Sequence, residues 1–229
     1  MDLQSRDVHC HLLPGVDDGF RDAGSSLKAI GMMASHGCRD ILFTPHMNPD
    51  VYPDESEAHF REVYDSFVPQ IPQEWGVKTA LAAEYMVVNG FEERASKPEE
   101  LLTWPDGSIL IEMSYFFRSR NLENTLFELN MAGLDPVLAH PERYLYMAGC
   151  LRDFEKFQDM GCRFQMNYAS LTGKYGPDSI KILCHLLDEG MYSFVATDLH
   201  SIPQLESILD GVPVKKVRKS FEKFLSCRP

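Results

Sequence analysis

The chain has 229 residues, is 44% hydrophobic and carries a formal charge of −12 at pH 7. This length and composition suit one α/β domain with a substantial core, so we expect a single domain over residues 1–229. The negative charge argues against binding to nucleic acid or to an anionic membrane. Because the sequence has neither a long apolar run nor a basic-apolar leader, we expect no membrane insertion and no secretion signal, and a cytoplasmic location.

Strand-like apolar runs alternate with helical patterns along the chain. The predicted strands cover residues 7–11, 41–44, 78–83, 109–111, 136–139, 163–166 and 192–196. The predicted helices cover about 25–36, 55–67, 122–132, 153–160, 178–187 and 214–225, with a short helical piece after the third strand. This alternation favours a parallel sheet, and the continuous apolar strands indicate burial on both faces. A closed (β/α) barrel fits the pattern best.

Polar side chains occur at the C-terminal end of each predicted strand. They are His9, His11 and the nearby Asp17, then His46, Glu84, Glu112, His140, Asn167, Asp198 and His200. In (β/α) barrels this end forms the mouth at which residues from different strands meet. The two imidazoles of His9-Cys10-His11 are two residues apart, so on a strand they point to the same side.

Five of these residues are histidines and four are carboxylates, and none is a thiolate. Such a mixed nitrogen and oxygen set suits manganese, iron or zinc. Nine ligands could hold three ions and leave positions open for water and substrate. Bridged ions lower the pKa of bound water, provide hydroxide as a nucleophile and stabilise an in-line displacement at phosphorus. Hydrolysis of phosphoesters is therefore the leading chemistry.

Several motifs together carry a family resemblance. In order they are His-Cys-His followed by Leu-Leu-Pro-Gly-Val-Asp-Asp-Gly, then Thr-Pro-His, Ala-Glu-Tyr, Leu-Ile-Glu-Met-Ser, Ala-His-Pro-Glu-Arg-Tyr and Thr-Asp-Leu-His. They resemble the polymerase-and-histidinol-phosphatase (PHP) superfamily, and within it the manganese-dependent tyrosine-protein phosphatases of bacterial capsule and exopolysaccharide biosynthesis. The resemblance spans residues 7–200. It implies a distorted (β/α)7 barrel and three divalent ions, manganese first, with iron or zinc as alternatives.

The resemblance also implies how the ligands divide among the ions. The first ion would be held by His9, His11, Glu84 and Asp198, the second by Glu84, Glu112 and His140, and the third by Asp17, His46 and His200. Arg143 would bind the substrate phosphate, because a guanidinium offers paired donors to phosphate oxygens. The candidate catalytic residues are Arg143, Glu112 and Asp198.

Other assignments depend on weaker signals. Asp-Asp-Gly is an ordinary turn sequence, so Asp17 is predicted as a ligand from its position and the resemblance, whereas Asp18 is predicted to stabilise the turn. The residues directly after His200, Ser-Ile-Pro-Gln-Leu-Glu, contain no arginine, where many relatives would have one. Arg118 and Arg120 could replace it in contacting substrate, and Tyr85 is a further candidate for substrate binding.

Several functions remain open from the sequence. The leading one is a protein-tyrosine phosphatase that acts on the tail of a bacterial tyrosine kinase by means of a metal-activated hydroxide. The alternatives are a small-molecule phosphomonoesterase of the histidinol-phosphatase type and a non-catalytic, metal-stabilised docking protein for a kinase tail. A cysteine-based phosphatase is excluded, because no cysteine is followed by an arginine six positions later. The sequence leaves homo-oligomerisation open.

Overall fold

The structure is a computed structural model that describes residues 1–227. Its strands are β1 (Arg6–Cys10), β2 (Asp40–Phe43), β3 (His46–Met47), β4 (Lys78–Leu81), β5 (Glu84–Met86), β6 (Ser108–Glu112), β7 (Asp135–Ala139), β8 (Arg163–Asn167) and β9 (Tyr192–Ala196). Its α-helices are α1 (Ala23–Ser35), α2 (Glu57–Phe67), α3 (Phe91–Ala95), α4 (Leu122–Met131), α5 (Arg152–Asp159), α6 (Gly176–Asp188), α7 (Ile202–Leu209) and α8 (Lys215–Ser226).

The strands pair in parallel in the orders β1-β2-β4 and β3-β5-β6-β7-β8-β9. The strands at the predicted positions 41–44 and 78–83, β2 and β4, are each followed, after a break of two residues, by a short further strand, which gives the pairs β2/β3 and β4/β5. Pro45 lies in the first interruption and has no N–H to donate. Backbone hydrogen bonds cross the break, from Ala82 N to Phe43 O (2.8 Å) and from Glu84 N to Pro45 O (3.0 Å). The two sheets therefore form one run of seven barrel strands.

The barrel closes between β9 and β1 at its mouth. Asp198 N donates to His9 O (2.8 Å), and His11 N donates to Leu199 O (2.9 Å). Both bonds involve the segment just after β9, so the ring is completed by the segments that carry predicted ligands. Because these closing hydrogen bonds lie beyond the end of β9, the ring of strands is irregular at this point. The predicted distorted (β/α)7 architecture is confirmed.

A small apolar cluster fills the barrel interior, and a larger core lies between the strands and the outer helices. The buried members of the interior cluster are Val8, Leu42, Ala82, Trp104, Leu110, Val137, Ala139 and Ala196. The interior is therefore packed with side chains and is not a channel, as is usual for (β/α) barrels.

Helix α7 was not predicted from the sequence. Ser201 caps this helix by accepting a hydrogen bond from Gln204 N, and a proline occupies its first turn. Both features favour a helix start, but the helix has only 8 residues. Residues 1–227 contain all six cysteines, and each is a free thiol. No helix in the described chain has the length and apolar character that a bilayer span requires.

Candidate metal centre

On three barrel strands, an apolar residue that faces inward is followed by an acidic residue at the next inward-facing position. Ala82 is followed two residues later by Glu84, Leu110 by Glu112, and Ala196 by Asp198. The first residue of each pair lies in the interior cluster, and each carboxylate is almost completely buried. Because alternate residues of a strand share a face, the three carboxylates converge above the apolar interior.

A bulge in β1 brings His9 and His11 to the same place. Asp7 pairs with Ile41 and Cys10 with Phe43, so two residues of β1 lie opposite the single residue between them on β2. Such a bulge shifts the alternation of side chains by one residue. It allows Val8 to pack in the interior cluster while both imidazoles also face inward. Their Nε2 atoms lie 3.1 Å apart.

These two imidazoles form a compact group with two carboxylates. His9 Nε2 lies 3.3 Å from Glu84 Oε2 and 3.4 Å from Asp198 Oδ1. His11 Nε2 lies 3.5 Å and 3.4 Å from the same two oxygens. Ligands bound about 2.1 Å from a tetrahedral ion are separated by about 3.4 Å. These spacings match tetrahedral edges around His9 and His11, but the two carboxylates fall into different ligand-sized groups: Glu84 with His9 and His11, and Asp198 with His9 and His140.

Hydrogen bonds to Nδ1 orient three of the histidines. His9 Nδ1 lies 2.8 Å from Gln165 Oε1, His11 Nδ1 lies 2.7 Å from Asp17 Oδ2, and His200 Nδ1 lies 2.9 Å from the Asp198 carbonyl oxygen. Each of these oxygens accepts, so Nδ1 carries a proton and Nε2 is the ring nitrogen turned toward the neighbouring ligand atoms. Metal-binding histidines are usually oriented in this way.

A second group lies on the other side of Glu84. His46 Nδ1 is 3.0 Å from Glu84 Oε2 and 3.0 Å from Glu112 Oε1. His140 Nε2 is 3.1 Å from Glu84 Oε1. Glu84 Oε2 therefore lies close to both the first group and His46, whereas Oε1 faces His140. The structure groups Glu84 and Glu112 with His46, whereas the resemblance groups them with His140.

The aspartates of the Asp-Asp-Gly turn are placed differently from the prediction. Asp17 is buried, and its two oxygens accept hydrogen bonds from His11 Nδ1, His46 N and Gly19 N. Asp18 Oδ1 instead lies 3.5 Å from His46 Nε2 and 3.5 Å from His200 Nε2. The structure thus brings Asp18, not Asp17, into a ligand-sized group with His11, His46 and His200.

Two residues of the centre have a left-handed backbone. His140 has φ 33° and Asp198 has φ 48°, and they are the non-glycine residues with positive φ within the described chain. This conformation is unfavourable for side chains with a Cβ, and it persists where surrounding contacts enforce it. Here it turns both side chains from the strand ends into the mouth.

The donor set fits divalent ions. His46 Nδ1, Glu84 Oε2 and His140 Nδ1 are buried without a hydrogen bond to any of the described residues. Burial tends to raise the pKa of Glu84, but His9 and His46 hold it well below its usual range. Burial and His46 each tend to lower the pKa of His11, but Asp17 raises it to about 10. The cluster thus favours ionised carboxylates beside protonated imidazoles, and cations could replace those protons.

Arg143 lies at the edge of the centre. Its Nη1 donates to Asp198 Oδ2 (2.6 Å). The guanidinium carbon is 4.3 Å from the Tyr115 ring centre and 4.7 Å from that of Tyr175. Two aromatic faces and one carboxylate therefore fix the guanidinium beside the ligands, as cation–π and charge-assisted contacts do.

The other predicted substrate contacts are not brought to the centre. Tyr85 is fully buried and points away from it, where its hydroxyl donates to Glu57 and accepts from Leu102 N. Tyr85 alternates with Glu84 along β5, so it must face outward. The Arg118 guanidinium is paired with Glu123 and Asp153.

Arg120 is exposed beside a cleft next to the mouth. Sequence reasoning missed several residues that support the centre, namely Asp18, Tyr115, Gln165, Tyr175 and Gln204. Gln204 accepts from His200 N and donates to the Asp198 carbonyl oxygen (2.7 Å), so α7 holds the loop that carries both. A signal existed for Gln165, which is a polar residue between the apolar Phe164 and Met166 of a predicted strand and must be bonded if buried.

The fold and this centre define a distorted parallel barrel with histidine and carboxylate clusters suited to metal ions. The sequence model of the family described as capsular polysaccharide synthesis, CpsB/CapC, matches residues 5–224. The chain belongs to this family.

Curated relatives and solved structures agree with this assignment. The tyrosine-protein phosphatase YwqE of Bacillus subtilis is 30% identical over 197 residues, which cover 86% of this chain and 77% of that protein. The tyrosine-protein phosphatase CpsB of Streptococcus pneumoniae is 25% identical over 236 residues, covering 96% and 94%.

A crystal structure from work on YwqE and CpsB, described as unique metal-dependent tyrosine phosphatases, superposes with a TM-score of 0.81. The match has 27% identity and covers 95% of this chain and 86% of that chain. A phosphotriesterase homology protein from Escherichia coli, with phosphate in its active site, shares the fold at 16% identity and a TM-score of 0.53.

Proposed function

We propose that this protein is a metal-dependent protein-tyrosine phosphatase that uses three divalent ions, manganese in the first place. The observation that carries the proposal is the convergence of buried histidines and carboxylates at the mouth of the barrel, in a chain whose relatives are tyrosine phosphatases. The expected reaction is hydrolysis of a phosphotyrosine to tyrosine and inorganic phosphate.

The geometry supports a modified division of ligands. His9, His11, Glu84 and Asp198 remain our assignment for the first ion, because each imidazole Nε2 lies 3.3–3.5 Å from both carboxylates. Glu84, Glu112 and His140 remain our assignment for the second, with His46 Nδ1 close to both glutamates. For the third we assign Asp18, His46 and His200, and we give Asp17 the role of orienting His11.

Bound divalent ions would supply activation of water as the nucleophile and stabilisation of charge on the phosphoryl oxygens. The chain's own contribution is to hold the substrate in line with that water. Arg143 would bind phosphate oxygens by exchanging part of its contact with Asp198, and Tyr115 and Tyr175 would keep its guanidinium in place. Fixed donors of this kind stabilise the transition state because they need little reorganisation.

The choice of phosphotyrosine also has a chemical reason. A phenolate leaves more readily than an alkoxide, so the reaction makes less demand on a general acid. As physiological substrate we propose a tyrosine-phosphorylated protein, specifically the tail of a bacterial tyrosine kinase that controls capsule or exopolysaccharide synthesis. The formal charge of −12 supports a protein substrate over nucleic acid.

The test is phosphate release by metal-stripped protein, with and without manganese, from a phosphotyrosine peptide and from histidinol phosphate. We expect manganese-dependent release from the peptide, and its loss in His140→Ala. His59→Ala is the matched control, because His59 lies on α2 and pairs with Glu55. Preference for histidinol phosphate would assign the site to a small metabolite. Binding of the peptide without release would assign a docking role.

A further inference from the structure

The loop that follows β6 exposes three aromatic side chains beside the metal centre. Tyr115, Phe116 and Phe117 are 38%, 89% and 67% exposed. Adjoining exposed apolar side chains on a soluble protein often mark an interaction site. The same loop leads away from Glu112, so the exposed rings begin three residues after a predicted metal ligand.

Tyr115 fixes this loop to the centre. Its ring lies 4.3 Å from the guanidinium of Arg143, and its hydroxyl lies 3.4 Å from His140 Nε2. Consecutive Cα atoms are about 3.8 Å apart, so the Cα atoms of Tyr115 and Phe117 lie within roughly 8 Å of each other. A phosphotyrosine whose phosphate is bound by Arg143 would therefore place its neighbouring residues within reach of Phe116 and Phe117.

A cleft of about 630 Å³ extends from the mouth on this side. Its lining includes Asn48, Met86, Val88, Asn89, Phe117 and Arg120. Asn48 and Met86 come two residues after His46 and Glu84, so the cleft begins at the rim of the metal centre. Its walls combine apolar side chains with amides, hydroxyls and the charged groups of Asp50, Arg118 and Arg120, which suits an extended peptide with both apolar and polar side chains.

The two arginines of the loop differ in their availability. Arg118 is held by Glu123 and Asp153. Arg120 is exposed and forms no ion pair with any residue in 1–227. A guanidinium without an ion pair on the wall of this mixed cleft is complementary to an acidic residue of the substrate.

We propose that Phe116, Phe117 and Arg120, with the adjoining cleft, bind the residues that flank the phosphotyrosine in a peptide substrate, preferring an apolar residue next to an acidic one. This inference rests on the proposed function and adds to it a site for sequence selection. It separates recognition of the peptide from recognition of the phosphate, which belongs to Arg143 and the metal centre.

The experiment compares two substrates in the manganese-loaded enzyme. One is a phosphotyrosine peptide with apolar and acidic flanking residues, and the other is p-nitrophenyl phosphate, which has no flanking residues. We expect Phe117→Ala to lower kcat/KM for the peptide about tenfold, mainly through KM, and to change p-nitrophenyl phosphate hydrolysis by less than about twofold. Arg120→Ala should act in the same direction with a smaller effect. Phe127→Ala is the control, because Phe127 is 55% exposed on α4, outside the loop and the cleft.

A second peptide with glycine at the flanking positions completes the test. If Phe117 contacts those residues, the glycine peptide should lose most of its sensitivity to Phe117→Ala. Equal losses for both main substrates, or no loss for either, would overturn the inference while leaving the phosphatase activity established. Failure of the wild-type enzyme to hydrolyse either substrate would overturn the proposed function itself, and the inference with it.

Discussion

Along β6, Leu110 packs among apolar side chains inside the barrel, whereas Glu112 faces the same interior two residues later and lies 3.0 Å from His46. The interior cluster, which lies below the mouth, contains apolar side chains that stabilise the fold by burial. The mouth contains charged groups whose burial costs free energy unless they are paired or bind ions. The same strands thus supply stability in the apolar interior and a reactive centre at the mouth. Mutations in the interior should therefore lower stability, and mutations at the mouth should lower activity.

The largest effect should come from the centre of the mouth. Glu84→Gln removes the charge that lies between the two ligand groups while nearly preserving side-chain volume. We expect kcat/KM for a phosphotyrosine peptide to fall by at least about a thousandfold, because several kcal/mol of charge stabilisation would be lost. Metal content, measured on the purified protein, should fall as well.

Glu74→Gln is the matched control, because Glu74 is exposed and precedes the N-terminal end of β4, whereas the metal centre lies at the C-terminal ends of the strands. It should retain both activity and metal content. Full activity in Glu84→Gln would mean that this carboxylate is not a shared ligand.

Mutation of the interior cluster should give the reverse result, a loss of stability with little loss of activity. Leu110→Ala leaves a cavity among fully buried neighbours, so the free energy of unfolding should fall by about 2–5 kcal/mol. Activity per folded molecule should stay within about twofold. Urea denaturation and phosphate release measure the two quantities, with Val212→Ala as an exposed control. A large loss of activity in a folded Leu110→Ala protein would contradict this separation of stability from activity.

Gln165 tests the boundary between the interior cluster and the metal centre. Its side-chain oxygen holds His9 Nδ1 at 2.8 Å, and the residue is fully buried on β8. Gln165→Leu keeps the volume but removes the acceptor, so metal affinity should fall about 10–100-fold. Excess manganese should then restore most of the activity, which loss of a direct ligand would not allow. Gln158→Leu removes an amide that donates to Met191 O, and neither residue is a predicted ligand, so metal affinity should not change.

The pattern of the strands made the barrel predictable, because seven apolar runs alternate with helical segments. It also placed His9, Glu84, Glu112 and Asp198 at one mouth. Atomic details within turns were not predictable: Asp17 and Asp18 are neighbours, and only the path of the turn decides which carboxylate faces His46 and His200. The short helix α7 was missed because its sequence is too brief to show helical periodicity.

Tyr85 shows the same limit and yields the smallest predicted effect. It follows Glu84 directly, so proximity in sequence suggested a substrate contact, yet alternation along β5 turns it into the outer core. Tyr85→Phe removes the acceptor for Leu102 N and the donor to Glu57, which should reduce the free energy of unfolding by about 1–3 kcal/mol. Because the hydroxyl is on the far side of the strand from the metal centre, KM for a phosphotyrosine peptide should not change. A selective rise in KM without loss of stability would restore Tyr85 to the substrate site.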